Sequence, residues 1–168
     1  DALPICCRAR NCGVCTVDVN GRPRLACRAR IKEGDRVSPV NTLPPLADLV
    51  VRRDGVARQM RGRLTSVAQG NDLNQDAPDD YHALTACVEC YACLQNCPMH
   101  ARNFTDGANP DPSEGYQWGN PFSLLKLQML RLDPLSSDAG RDQALAHAED
   151  LGLDALVPGL VEVQLGGG

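Results

Sequence analysis

Cys7, Cys12 and Cys15 stand in the spacing C-x4-C-x2-C, and Cys27 follows with eleven residues between. That is the plant-type spacing for a [2Fe–2S] cluster. A flat two-iron rhomb takes two thiolates per iron, and a tight loop can wrap three of them around it. The fourth must return from a neighbouring strand. A second group, Cys87, Cys90, Cys93 and Cys97 followed by Pro98, reads C-x2-C-x2-C-x3-C-P, the bacterial ferredoxin run. Three of its cysteines can hold three corners of a [4Fe–4S] cubane. Cys97 either closes the same cubane or points to a different centre, and a three-cysteine cluster is a further possibility. No cysteine follows residue 97 to complete a second set.

Two other chemistries compete for these thiols. A disulfide framework is disfavoured because nine cysteines is an odd number and DALPICC has neither the basic start nor the apolar stretch of a signal peptide. Zinc prefers paired C-x2-4-C knuckles. The first group offers one C-x2-C pair; in the second, two C-x2-C pairs overlap, so a zinc-stabilised interaction module is an alternative there. Cys6 is read as a bystander thiol.

The elements that must position these cysteines come from a chain of 168 residues, enough for one compact domain or two small ones. Hydrophobic residues make up 43% and aromatics only 4%. No run of 18 apolar residues occurs, so nothing spans a membrane by itself. The net charge of −4 hides an asymmetry: residues 1–63 stand at +7, residues 71–115 at −7 and residues 116–168 at −4. Such a switch suggests two units with different electrostatic tasks. The basic residues of the first unit lack interleaved aromatics and crowd around cysteines, which argues against nucleic-acid binding. Arg8, Arg10, Arg28 and Arg30 can offset the negative charge of an all-thiolate cluster.

Val17 and Val19 alternate into Asn20-Gly21, and the chain returns through Leu25 to Cys27, a hairpin signal. Gly13, between two candidate ligands, lacks a Cβ and would let backbone N–H groups approach bridging sulfides. Leu46, Leu49, Val50, Val56 and Met60 fall near helical spacing, with Gly55 weakening the middle. Residues 69–80 are polar and breaker-rich, and read as a linker. A short helix is expected in YHALTAC. Asn120 can cap a helix that begins at Pro121 and stops at Asp133-Pro134, and Ser137 can cap another that ends at Gly152. His82, His100 and His147 are read as surface or packing residues, with His100 the best placed to be a ligand.

The two motifs, in this order, resemble the iron–sulfur subunit of succinate dehydrogenase and fumarate reductase. CRARNCGVCTVDVNGRPRLACRARI is similar to that family's ferredoxin loop and return strand, LADLVVRRD to its "DLVVD" segment, LTACVECYACLQNCP to its approach to the cubane, and GNPFSLLKLQMLRLDP to the helix that follows. The resemblance covers about residues 5–135. Relative to the family, only six residues precede Cys7 and the C-terminal cysteine group is absent, so both ends are expected to be truncated or divergent. Where the family often shows paired tryptophans after Cys-Pro, this chain has Ala101 and Arg102.

The resemblance implies an α+β fold: a β-grasp [2Fe–2S] ferredoxin domain over residues 1–68, the linker over 69–80, and an α-helical ferredoxin domain over 81–168. It implies that Cys7, Cys12, Cys15 and Cys27 hold a [2Fe–2S] cluster and that Cys87, Cys90 and Cys93 hold a [4Fe–4S] cluster. Cys97 then serves a [3Fe–4S] cluster or is the fourth ligand of the [4Fe–4S] centre. The implied partners are an FAD-containing flavoprotein and a membrane-anchor (quinone/cytochrome b) protein. The implied place is the cytoplasmic face of the inner membrane, or the matrix side in mitochondria, within a respiratory complex. A second reading keeps electron transfer but serves another dehydrogenase or a thiol-dependent fumarate reductase.

Overall fold

The computed structural model describes residues 4–61, 63–64, 75–95, 97, 100 and 119–151. Two small antiparallel sheets come first and helices follow, an α+β arrangement. Strands β1 (Thr16–Val19), β2 (Arg22–Leu25) and β3 (Val37–Pro39) form a sheet in the order β2-β1-β3. The expected hairpin is present. Val19 pairs with Arg22, so Asn20 and Gly21 alone make the turn, at φ values of 53° and 80°. A two-residue loop with positive φ at both positions matches the twist of the flanking strands. Asp18 Oδ1 accepts from Gly21 N at 2.6 Å, and Asn20 Oδ1 accepts from Arg36 N at 2.9 Å, which ties the turn to the approach to β3.

The helix expected from Leu46 to Met60 forms only in its second half. Strands β4 (Pro45–Ala47) and β5 (Val50–Val51) make a small hairpin, and α1 covers Asp54–Arg61. Pro44 and Pro45 cannot donate helix hydrogen bonds, Asp48 takes φ 47°, and β-branched Val50 and Val51 suit a strand. Leu46, counted among the apolar spacing, is 55% exposed.

Helix α2 (Asp79–Thr85) leads into the second cysteine group, which contains a 3-10 turn at Ala92–Leu94. Helix α3 (Pro121–Leu132) starts as expected: Asn120 Oδ1 accepts from the N–H groups of Phe122 and Ser123, both at 3.0 Å. Pro121 occupies the first position, where a missing N–H costs nothing. Helix α4 (Asp138–Asp150) is capped by Ser137 Oγ, which accepts from Gly140 N at 3.0 Å. Gly152, its expected stop, lies outside the described residues, as do residues 69–74 of the expected linker.

Val40, Leu43, Val51 and Val56 from the first sixty residues pack in one buried core with Tyr91, Leu94 and Phe122. Each such side chain, fully buried, contributes about 1.5–3 kcal/mol. Tyr91 and Phe122 meet edge to face at 4.9 Å. A second core joins α3 to α4 through Leu127, Leu130 and Ala144. The first core is what positions the site, because the second cysteine group is built around its Tyr91 and Leu94.

Candidate iron–sulfur centres

The first cysteine loop is shaped by residues in the left-handed region. Arg8 (φ 57°), Arg10 (φ 65°) and Gly13 (φ 62°) turn the chain sharply between Cys7 and Cys15. The turning aims amides at sulfur: Ala9 N and Asn11 N, each following a left-handed residue, both donate to Cys7 Sγ at 3.4 Å. Successive N–H groups directed into one concavity form a nest for negative charge. The amides of Cys7 and Val14 likewise donate to the Cys12 sulfur and hold its pKa down to about 7. Cys15 is buried, and that burial pushes its thiol up; Cys27 is its hydrogen-bonded neighbour. The Ala26 N to Cys15 O bond at 2.8 Å brings the return strand home.

Cys12 thus has Cys7 as a thiol neighbour, and Cys15 has Cys27. Cys6 also reaches Cys12, which raises its pKa. Among the described residues, no three thiol, imidazole or carboxylate groups close on one point. Arg8, Arg10, Arg28 and Arg30 stand exposed around this loop. Arg10, Arg28 and Arg30 join Arg22, Arg24 and Lys32 in lining a basic depression beside it.

The second loop uses the same backbone device, with Glu89 at φ 53° and Tyr91 at φ 58° between its cysteines. Desolvation, followed by the charges of Cys90 and Cys87, pushes the Cys93 thiol up to about 11, and Cys97 adds to the effect. A positive centre bound by these sulfurs would offset the mutual repulsion of their charged forms. The donor set fits a cationic iron core, and the amide bonds to sulfur fit thiolate ligands.

The two loops, more than seventy residues apart in sequence, touch through their backbones. A Cβ added to Gly13 would overlap the Val88 carbonyl oxygen and lie 2.7 Å from Cys90 N and 2.8 Å from the Glu89 carbonyl carbon. The glycine is therefore required by the second cysteine loop, a reason different from the one its position among ligands suggests. Arg53, between β5 and α1, joins the same two loops: Nη1 donates to Gly13 O at 3.2 Å and Nη2 to Glu89 O at 2.5 Å. Lys126 of α3 holds the Glu89 carboxylate at 2.6 Å. Gln95 Nε2 donates to Gly21 O at 2.8 Å, fixing the second loop to the β1–β2 turn.

Arg53, Glu89, Gln95 and Lys126 carry no motif; Arg53 is one of thirteen basic residues in the first 63 and nothing in its spacing sets it apart. His100 is buried, with Nε2 at 2.5 Å from the Thr42 carbonyl oxygen, and His147 Nε2 lies 2.9 Å from Arg63 O. Both rings are thus engaged with backbone, as packing residues would be. Ala101 and Arg102 lie outside the described residues.

Residues 2–58 match the family described as "2Fe-2S iron-sulfur cluster binding domain". Over 110 residues the chain is 37% identical to a CoM/CoB fumarate reductase subunit of Methanothermobacter marburgensis, covering 62% of this chain and 22% of that protein. Over 108 residues it is 28% identical to the "Fumarate reductase iron-sulfur subunit" of Escherichia coli O6:H1, covering 58% of this chain and 44% of the other. The fold is similar to that of a chain in the "Mycobacterium smegmatis Sdh1 complex in the apo form", with a TM-score of 0.64 and 20% identity over 98% of this chain and 66% of that one. This chain spans about a fifth of the first relative's length.

Proposed function

We propose that this chain, a relative of the iron–sulfur subunits of fumarate reductase and succinate dehydrogenase, is the electron-transfer subunit of such a complex. Cys7 and Cys12 would hold one iron of a [2Fe–2S] cluster, and Cys15 and Cys27 the other, a division consistent with Cys7 neighbouring Cys12 and Cys27 neighbouring Cys15. Cys87, Cys90 and Cys93 would hold a [4Fe–4S] cluster, with Cys97 as its fourth ligand or as a ligand of a [3Fe–4S] cluster. When bound, the clusters supply one-electron carriers. The chain's own part is to seat them, direct amides at their sulfurs and hold the two seats together.

The observation that carries this reading is the backbone contact between the two cysteine loops at Gly13 and Val88–Cys90. Redox centres that pass electrons must be close and rigidly spaced, and sequence-distant loops locked together provide that. An FAD-containing flavoprotein would exchange electrons at one end and a membrane-anchor protein with quinone at the other. The chain would then sit peripherally on the cytoplasmic (or matrix) face of the inner membrane. No helix among the described residues is long and apolar enough to cross a membrane. In the complex purified with its flavoprotein, succinate should reduce the [2Fe–2S] centre and fumarate should reoxidise it. An intact complex whose centre responds to neither would contradict the reading.

A second reading, service to a thiol-dependent fumarate reductase, is favoured by two observations. Identity to the CoM/CoB-named relative is 37%, against 28% to the Escherichia coli subunit. Ala101 and Arg102 stand where the quinone-linked family often has tryptophans. Co-purification of a membrane anchor would decide for the first reading; a soluble complex oxidising thiols with fumarate would decide for the second.

A further inference from the structure

We propose that Arg53 is a positioning residue that fixes the spacing of the two cysteine loops, and that its guanidinium charge favours the reduced form of the centres they hold. The proposal rests on the iron–sulfur reading for its redox half only. One guanidinium bonds one carbonyl from each loop: Gly13, between Cys12 and Cys15, and Glu89, between Cys87 and Cys90. A planar fork can bridge two such acceptors at fixed angles, whereas a lysine ammonium is a point charge on a flexible stem.

The fork stacks on one ring, and both its backbone and one of its acceptors are anchored. Its carbon sits 4.6 Å from the centre of the Tyr91 ring, and Tyr91 is buried against Phe122. The preceding residue is anchored by Arg52 N donating to Pro44 O at 2.7 Å. Glu89, the acceptor on the far side, is pinned through its carboxylate by Lys126. Arg52, one residue earlier, faces Asp54 at 4.0 Å instead, so the bridging belongs to Arg53 and not to the basic run as such. A positive charge bridging two loops that hold anionic centres would lower the cost of an added electron at each, since net charge and hydrogen bonding near a cluster help set its potential.

The test compares Arg53→Gln, which loses charge and fork, with Arg53→Lys, which keeps the charge, in the full chain purified anaerobically. Three readouts are taken: amide hydrogen exchange across residues 13–16 and 88–91, reduction potentials by electron paramagnetic resonance titration, and the magnetic coupling between the two reduced centres. Arg53→Gln should speed exchange in both loops about tenfold, weaken the coupling, and lower the reduced-to-oxidised ratio of at least one centre about tenfold at fixed ambient potential, equivalent to about 59 mV for one electron. Arg53→Lys should speed exchange and weaken coupling while leaving the potentials within about 30 mV of the parent, half that tenfold step.

Folded variants with parental exchange, coupling and potentials would overturn the proposal. If Arg53→Gln loses its cooperative melting transition, Arg53→Lys decides by the same readouts. Loss of the transition in both would also overturn it, making Arg53 a folding residue and not a positioning one. A parent without two interacting centres would sink the iron–sulfur reading, and with it the redox half; exchange in the loops would still decide the positioning half.

Discussion

The α-carbon of Gly13 lies against the carbonyl of Val88, leaving no room for a side chain between the two cysteine loops. Gly13→Ala should therefore combine a backbone collision with the strain of φ 62°. A left-handed alanine costs about 1–2 kcal/mol and overpacking a further 1–3, so a loss of about 3 kcal/mol is expected. Gly21→Ala and Gly34→Ala are the controls: their φ values are also positive but nothing lies within 4 Å of an added Cβ, so only the strain should show. Thermal melting of the three variants checks this.

Serine substitutions should divide the cysteines into two sets. Cys15→Ser should remove the [2Fe–2S] signal and spare the second centre, and Cys90→Ser should do the reverse. Cys6→Ser should leave both, since the amide bonds from Ala9 and Asn11 converge on Cys7 and not on its neighbour. Iron and acid-labile sulfide content, with visible absorption, provides the measurement.

Asn120 is fully buried and its Oδ1 accepts two amide hydrogens at the start of α3. Asn120→Ala should cost about 2 kcal/mol, at the upper end of cap losses because the orphaned amides are buried. Asn120→Ser should lose less than Asn120→Ala, since its hydroxyl oxygen can accept one of the same amide hydrogens. Urea denaturation distinguishes them.

Asp35 links the loop before β3 to the turn, accepting from Lys32 N and from Asn20 Nδ2, both at 2.8 Å. The Lys32 amide, then the Asn20 side chain, lower its pKa below the usual carboxylate value. A group held lower in the folded state contributes stability above its unfolded pKa and loses it as pH falls through the folded one. Asp35→Asn should therefore flatten the acid side of a stability-versus-pH curve and leave the neutral-to-alkaline side unchanged in slope, as read by melting temperature across the pH series.

The contrast between what the residues announce and what they hide follows the range of the interactions. Asn20-Gly21, Asn120-Pro121 and Ser137 act within three or four neighbours, so their turn and caps are readable directly. The cysteine spacings stand out because a cluster, where one is bound, constrains its ligands along the chain. The stretch from Leu46 to Met60 misleads, because its apolar spacing fits a helix while Pro44, Pro45 and Asp48 break one. Arg53 and the pairing of Gly13 with Val88 are invisible in sequence, since they depend on a core that brings Tyr91 and Leu94 against Val51 and Val56.

Two iron–sulfur centres on loops locked together by this fold would lie close enough to interact magnetically. Electron paramagnetic resonance of the anaerobically purified protein, oxidised and then dithionite-reduced, tests this most directly. The expected result is a [2Fe–2S] signal on reduction whose relaxation or splitting reports a second paramagnet nearby. A colourless protein, silent in both states and carrying stoichiometric zinc, would contradict it.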